Sequence, residues 1–186
     1  EMNTSPVVGN GLLYIIAPPV LYAINPATQT VAWRADGFSF SKTPALANGM
    51  VYAIASGTLQ SRNATTGALL WTFNGDGALS YPPVVGNGGF IYVSSNGNTY
   101  ALNPQTGAQV WTTNEGGWLS IADGKLFVAR STGVLAAYSM SPSAALPPPT
   151  MPPPYQPPPL PPPVPSPANW QTLGGNNQHT GLNAGE

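Results

Sequence analysis

The chain has 186 residues, of which 6% are charged, and its formal net charge is -1. A nucleic-acid-binding surface requires a basic patch, and attraction to anionic lipids requires clustered lysine and arginine, so this composition argues against both partners. Cysteine is absent, which excludes a disulfide framework and a thiolate metal site. The longest apolar run, residues 12–24, is interrupted by Pro18-Pro19, and it is too short to predict a membrane span.

The chain then repeats one pattern three times. Each copy has a Gly-x-apolar-Tyr stretch, and a tryptophan follows that tyrosine 19 residues later. The pairs are Tyr14 and Trp33, Tyr52 and Trp71, and Tyr92 and Trp111. A fourth copy begins at Gly124-Lys125-Leu126-Phe127, but proline takes over before its tryptophan. A unit of about 40 residues is typical of propellers and repeat arrays, and a missing last strand has to be supplied from elsewhere.

The repeats are predicted to form strands rather than helices. Val, Ile, Leu, Tyr and Trp fill the apolar runs, whereas Gly and Asn mark turns that need positive φ. No stretch has a 3.6-residue apolar period long enough for a helix. The sequence therefore predicts an all-β, propeller-like array of about four antiparallel four-stranded blades, the last incomplete. Within residues 1–140 the blades cover residues 5–37, 43–77, 82–116 and 118–140, and the strands of the second blade are predicted at 43–47, 50–55, 58–62 and 68–73.

The motif inside each blade resembles the PQQ-like (quinoprotein-type) β-propeller repeat. Its first strand, of the form small-Pro-apolar, matches residues 5–8, 43–46 and 82–85. Asparagine stands where the family usually has aspartate, at Asn25, Asn63 and Asn103, and Gln29 replaces the glycine of the first blade.

This resemblance implies a structural role for the repeated tryptophans. Trp33, Trp71 and Trp111 are expected to dock between neighbouring sheets, where a large aromatic ring packs well and its N–H reaches a backbone acceptor. Tyr14, Tyr52 and Tyr92 are expected in the core or between blades, with sugar-stacking platforms as the alternative. Three arrangements of the blades remain possible: a small ring, an open stack, or part of a ring that another molecule completes.

Residues 141–168 have a different composition, with 15 of the 23 prolines and no charge. Such a segment favours extended polyproline II. It is similar to the hydroxyproline-rich spacers of algal and plant extracellular-matrix glycoproteins, which implies secretion, proline hydroxylation and O-linked glycans. The candidate modified positions are Pro148, Pro153, Pro158, Pro162 and Ser166. The alternative is a bare stiff linker, and no Arg or Lys flanks the PxxP runs as a signalling ligand would require.

The last segment, residues 169–186, looks like a detached fourth strand. Trp170 leads into Leu173-Gly174-Gly175 much as Trp71 leads into its turn, and His179-Thr180-Gly181 completes a segment that resembles the lead-in of PQQ-like propellers. Adjacent strands are usually joined by 2–5 residues, whereas a polyproline II link of this length could span on the order of 85 Å. We therefore predict that the segment is donated to a neighbouring copy, head to tail. Two alternatives stay open: the segment closes its own propeller, or the chain, which begins at Glu1, was excised from a longer multi-propeller protein.

Residues for chemistry are few. Asp36, Asp76 and Glu115 each lie beside a glycine after a blade tryptophan, so they could converge on a cation, but turn residues are the favoured interpretation. His179 is the only histidine and is expected to make a structural hydrogen bond. The five Lys and Arg residues are expected to be solvated or to protect strand edges. No catalytic, cofactor-binding or metal-binding residue is assigned, no PQQ is expected, and N-glycosylation sequons occur at Asn63 and Asn3.

The predicted function is that of a non-enzymatic, secreted structural subunit. It would build an extracellular filament or matrix, with other copies of itself and glycans as partners. The alternatives are a non-enzymatic binding scaffold, similar to the bacterial outer-membrane assembly lipoprotein of the PQQ-like family, and a fragment of a larger protein, including a quinoprotein dehydrogenase.

Overall fold

The computed structural model describes residues 4–86 and 88–140. These residues form fifteen strands in four antiparallel sheets, which confirms the predicted all-β array. No helix, and so none able to cross a bilayer, occurs within these two ranges. The Pro-rich segment 141–168 and the proposed donor segment 169–186 lie outside the described residues, as does Asn3.

Each of the first three sheets has four strands in chain order. The first contains β1 (Val7–Gly9), β2 (Leu12–Ala17), β3 (Val20–Asn25) and β4 (Thr30–Ala35). The second contains β5 (Phe40–Ala47), β6 (Met50–Ala55), β7 (Thr58–Asn63) and β8 (Leu69–Phe73). The third contains β9 (Val84–Val85), β10 (Ile91–Ser94), β11 (Thr99–Leu102) and β12 (Gln109–Thr113). The fourth has three described strands, β13 (Trp118–Ala122), β14 (Lys125–Ala129) and β15 (Leu135–Ser139).

The clearest difference from the predicted strands is at β5, which begins at Phe40 rather than at Thr43. A bulge interrupts the strand, because Ser41 pairs with Ile54 and the next pair joins Ala45 to Tyr52. Lys42 lies in this bulge with a φ of 66°. A bulge breaks the two-residue alternation from which a strand is recognised, so the sequence pattern located only the second part of β5.

The hairpins between the first two strands of a sheet turn on residues with positive φ. Asn48 and Gly49 have φ values of 51° and 71°, and Asp123 and Gly124 have 49° and 69°. Such pairs suit the tight turns whose twist matches that of the flanking strands. These turn residues therefore fix the register in which β5 pairs with β6 and β13 pairs with β14.

Buried side chains form three clusters, one between each pair of successive sheets. In β2, Leu12, Tyr14 and Ile16 face the second sheet and are buried, whereas the alternate residues are half-buried. Every residue of β6 is buried, because the second sheet has a neighbour on both faces. Tyr14 and Tyr52 are 0% exposed, so the core interpretation is right for them and the sugar-platform alternative is wrong.

Candidate functional site

Specific side-chain hydrogen bonds join one sheet to the next. The indole N–H of Trp33 donates to the backbone oxygen of Ala64 in the second sheet at 2.8 Å, and that of Trp71 donates to the backbone oxygen of Pro104 in the third at 2.9 Å. The hydroxyl of Tyr14 donates to the same Ala64 oxygen at 3.1 Å. An outer-strand tryptophan and a second-strand tyrosine thus bind one turn of the following sheet.

Asparagine side chains build the turns that receive these contacts. Oδ1 of Asn63 accepts the backbone N–H of Thr65 at 2.9 Å and of Thr66 at 3.0 Å. Asn25 and Asn103 accept the corresponding N–H groups in the first and third sheets. Asparagine and aspartate both form such turns, so asparagine replaces the usual aspartate of the family without loss of the turn.

Glycine is required where each tryptophan lies on its turn. Gly67 has a φ of 74°, and a Cβ there would fall 2.6 Å from Cδ2 of Trp33. Gly107 has a φ of 71°, and a Cβ there would fall 2.7 Å from Cδ2 of Trp71. In the first sheet the corresponding residue is Gln29, with a φ of 57°. The first sheet therefore carries a side chain where the other two turns leave room for an indole.

The last repeated tryptophan, Trp111, has a different environment. Its ring packs edge-on against Tyr138 of β15, with the ring centroids 5.0 Å apart. Among the described residues, no hydrogen bond of its indole N–H corresponds to those of Trp33 and Trp71. Docking of the tryptophan on a backbone acceptor is thus observed at the first two interfaces, whereas at the third Trp111 packs against Tyr138.

The fourth sheet ends where the others continue. β15 pairs with β14 on one side, and no described strand pairs with its other side. In the first three sheets that position is filled by β4, β8 and β12, which carry the docking tryptophans. The edge of β15 is consequently open over the described part of the chain.

The three carboxylates considered for a cation have separate partners. Asp36 pairs with Arg34 at 2.9 Å. Asp76 accepts hydrogen bonds from Ser95 at 2.5 Å and Asn98 at 2.8 Å. Across residues 4–86 and 88–140, no three His, Asp or Glu side chains lie close enough together to hold a metal ion.

Asp76 is held ionised by its surroundings. Burial by itself would raise its pKa, but hydrogen bonds from Ser95, Asn98 and the backbone N–H of Ala78 outweigh burial and lower the pKa below its usual value. The carboxylate therefore acts as an acceptor that ties the loop after β8 to the turn between β10 and β11.

Glu115 is engaged with the fourth sheet. It accepts a hydrogen bond from the hydroxyl of Tyr138 at 2.5 Å and lies 3.6 Å from the guanidinium of Arg130. The hydrogen bond to Glu115 is the main reason that the pKa of Tyr138 is raised. Glu115 thus links the loop after β12 to β15 and to the connection that precedes it.

One basic side chain contradicts its sequence interpretation. Arg62 was expected to be solvated, but it is only 8% exposed. Its guanidinium donates to the side-chain oxygen of Gln60 and the backbone oxygen of Gly67, and it lies 5.6 Å from the ring centroid of Phe40. Burial lowers its pKa. In the first and third sheets, Ile24 and Leu102 occupy the strand position that Arg62 has in the second. The apolar residues at this position in the other repeats were the signal that could have predicted that Arg62 is buried.

The remaining candidate residues divide by location. Asn63 is described, and its Oδ1 is engaged in the turn. The other candidates lie outside the described residues: Asn3, the modified positions Pro148, Pro153, Pro158, Pro162 and Ser166, and the donor residues Trp170, Leu173, Gly174, Gly175, His179, Thr180 and Gly181.

Solved structures with the same fold include both natural and designed proteins. BamB from Moraxella catarrhalis is similar with a TM-score of 0.65 and 22% identity, over 74% of this chain and 46% of that chain. The quinohemoprotein alcohol dehydrogenase from Comamonas testosteroni gives 0.53 and 24% identity, over 61% and 21%. The computationally designed Ika4 protein gives 0.63 and 13% identity, over 75% and 94%. The chain thus spans less than half the length of the two natural proteins.

Sequence comparison assigns the family. Curated proteins gave no significant match. The family model described as outer membrane protein assembly factor BamB matches twice, over residues 1–78 and 55–142. These matches overlap and together cover all four sheets. The chain therefore belongs to this BamB-type family of PQQ-like β-propeller repeats.

Proposed function

We propose that this chain is a structural subunit that assembles head to tail. The segment 169–183 of one copy adds a strand to the open edge of β15 in a neighbouring copy. Added strands bind through main-chain hydrogen bonds, and side-chain pockets give them specificity. A head-to-tail contact that does not close on itself generates a filament.

One observation carries this proposal. Three sheets have a fourth strand with a tryptophan, and the fourth sheet has none among its described strands. The chain does contain a fourth strand-like segment with a tryptophan, at Trp170, but it follows the proline-rich residues 141–168. Radial arrays are stable when their last edge is covered, and this segment is the covering strand that the sequence supplies.

The link favours a neighbour over the same copy. A hairpin would need only a few residues between β15 and its partner. The chain has 28 residues in 141–168, of which 15 are proline, and this composition favours extended polyproline II. An extended arm suits delivery of a strand to another molecule.

The composition of the arm supports an extracellular setting. Its proline density and lack of charge are those of hydroxyproline-rich matrix spacers, so we place hydroxylation and O-linked glycans at the arm and an N-glycan at Asn63. Glycans would also offset the low surface charge, which by itself gives little protection from precipitation. Mass spectrometry of native material reads each modification directly.

The proposed role is non-enzymatic. A calcium-quinone site requires convergent carboxylates, and the described Asp36, Asp76 and Glu115 are engaged with separate partners. The donor set within residues 4–86 and 88–140 therefore does not fit such a group. A dye-reduction assay with added quinone and calcium is expected to give no activity above the blank.

The test of assembly compares the full chain with a chain that ends at Met140. The full chain is expected to form long particles in electron micrographs, and the truncated chain is expected to stay monomeric in light scattering. A full-length variant with residues 169–183 scrambled keeps the same arm and composition and serves as the control. Assembly of the truncated or scrambled chain would rule out strand donation.

A second function is favoured by the family itself. BamB-type membership and a shared fold with BamB from Moraxella catarrhalis support a propeller scaffold that binds other proteins through one face. A full chain that stays a folded monomer at all concentrations would favour this alternative over the filament.

A further inference from the structure

The first and fourth sheets each present a face that no described sheet covers. Three buried clusters join the sheets in succession, and none of them joins the fourth sheet to the first. On the first sheet, Val8 pairs with Leu13 and is 73% exposed. On the fourth, Trp118 pairs with Ala129 and is 60% exposed, and one edge of its ring packs against Tyr81 in the segment before β9, with the ring centroids 5.3 Å apart. Large exposed apolar groups on matching faces point to a partner surface.

The internal interfaces show what such a face requires. At the end of the first strand, a small residue of one sheet meets a large aliphatic residue of the next. Gly9 in β1 lies directly against the side chain of Leu46 in β5. A Cβ at Gly86, which follows β9, would lie 3.3 Å from Cδ1 of Ile121 in β13.

At the two ends of the array, the small residue of the fourth sheet and the large residue of the first sheet each lack such a partner among the described residues. Register pairs Gly9 with Leu12 and Ala122 with Lys125, which occupy equivalent positions in β2 and β14. Ala122 is therefore the small residue of the fourth sheet, and it is exposed. Val8 stands one residue before Gly9, as Leu46 stands one residue before Ala47, and is the large aliphatic residue of the first sheet.

The first and fourth sheets each differ from the repeat at one further position, and the two differences are complementary. The fourth sheet has Phe127 where Tyr14 and Tyr52 stand in other sheets, so it lacks the hydroxyl that Tyr14 directs to the next turn. The first sheet has Gln29 where Gly67 leaves room for an indole. A sheet that ends in a docked tryptophan would meet the Gln29 side chain, whereas the described strands of the fourth sheet carry no tryptophan at that position.

We infer that the fourth sheet of one copy stacks on the first sheet of a second copy, with Ala122 against Val8. Gln29 excludes the three tryptophan-bearing sheets from this contact, so copies add in one register. The contact uses sheet faces rather than the strand edge, and it rests on the proposed function only for the head-to-tail direction. It also restricts the donated strand, because Trp170 must then lie outside the position that Trp33 takes in the first interface.

Cross-linking of full-length chains tests this contact. The chain has no cysteine, so Val8→Cys and Ala122→Cys each introduce one, both at exposed positions. Under mild oxidation, a mixture of the two variants is expected to form about tenfold more covalent dimer than either variant alone, because assembly raises the local thiol concentration. Thr132→Cys, in the loop before β15, replaces Ala122→Cys as the matched control and should give no increase.

Each other outcome overturns the inference. Dimers of Val8→Cys alone would mean that two first sheets pair with each other. An internal cross-link in monomers of the double variant would mean that the chain closes its own ring. No excess in the mixture would mean that these faces do not meet.

A second measurement avoids cysteine. Val8→Asp in the full chain is expected to reduce the assembled mass by about tenfold in light scattering, since it would bury an unpaired charge. Leu70→Asp, also at an exposed apolar position on β8, should leave the mass unchanged, and equal masses for both variants would contradict stacking. The test of strand donation is independent of the test of stacking. If the cross-link forms and the chain that ends at Met140 still assembles, stacking is supported and strand donation is wrong.

Discussion

Gly67 lies directly beneath the indole of Trp33, and a Cβ at this position would come within 2.6 Å of Cδ2 of the ring. Two carbon atoms do not approach so closely, and both groups are held by the turn and the strand. One sheet therefore depends on the absence of a side chain in the next.

Gly67→Ala tests that dependence against a matched glycine. Gly77 has the same φ of 74°, with nothing within 4 Å of a Cβ, so Gly77→Ala carries only the cost of a left-handed alanine, about 1–2 kcal/mol. Gly67→Ala adds overpacking of about 1–3 kcal/mol. Urea unfolding of both variants should show this difference, and equal losses would mean that the indole moves away without cost.

Trp33→Phe removes the hydrogen bond to Ala64 while it keeps an aromatic ring. We expect a greater loss of unfolding free energy than for Trp111→Phe, by about 1 kcal/mol, because Trp33 donates to a described backbone oxygen and Trp111 does not. Chemical denaturation measures both losses. If Trp111→Phe is as costly as Trp33→Phe, the indole N–H contributes little to docking.

Asn103→Ala and Asn103→Asp separate the turn from its amide. Oδ1 of Asn103 accepts the N–H groups of Gln105 at 2.9 Å and Thr106 at 3.3 Å. Alanine loses both bonds, at a cost of about 1 kcal/mol, whereas aspartate keeps an oxygen in place. Thermal unfolding should show a lowered midpoint for alanine only, and a similar decrease for aspartate would show that the amide nitrogen is needed.

Asp76 predicts how stability depends on acid. Its folded pKa lies below the ordinary value of 3.8, so ionised Asp76 stabilises the fold above that value. This stabilisation decreases as the pH falls through the folded pKa. The unfolding free energies of the wild type and Asp76→Asn should differ near pH 7 and converge in strong acid, and a difference that is constant with pH would exclude this linkage.

The sequence predicted much of the fold because its strongest signals are local. The 19-residue spacing of Tyr52 and Trp71 and the Asn48-Gly49 turn each depend on a single sheet. The partners across sheets could not be predicted in this way. Gln29 was recognised as a departure, but its meaning depends on the position of Trp33 over Gly67. Arg62 was misjudged because charge was weighed without the apolar residues at the matching strand positions.

The buried clusters join each described sheet only to the sheets next to it in chain order. The four sheets therefore behave as a one-dimensional array. Stability in such arrays is roughly a sum of unit terms and nearest-neighbour coupling. β6, buried throughout, belongs to a unit coupled on both sides, whereas β15 belongs to a terminal unit. Fraying should accordingly start at the two ends, with the slowest amide exchange in the middle of the array.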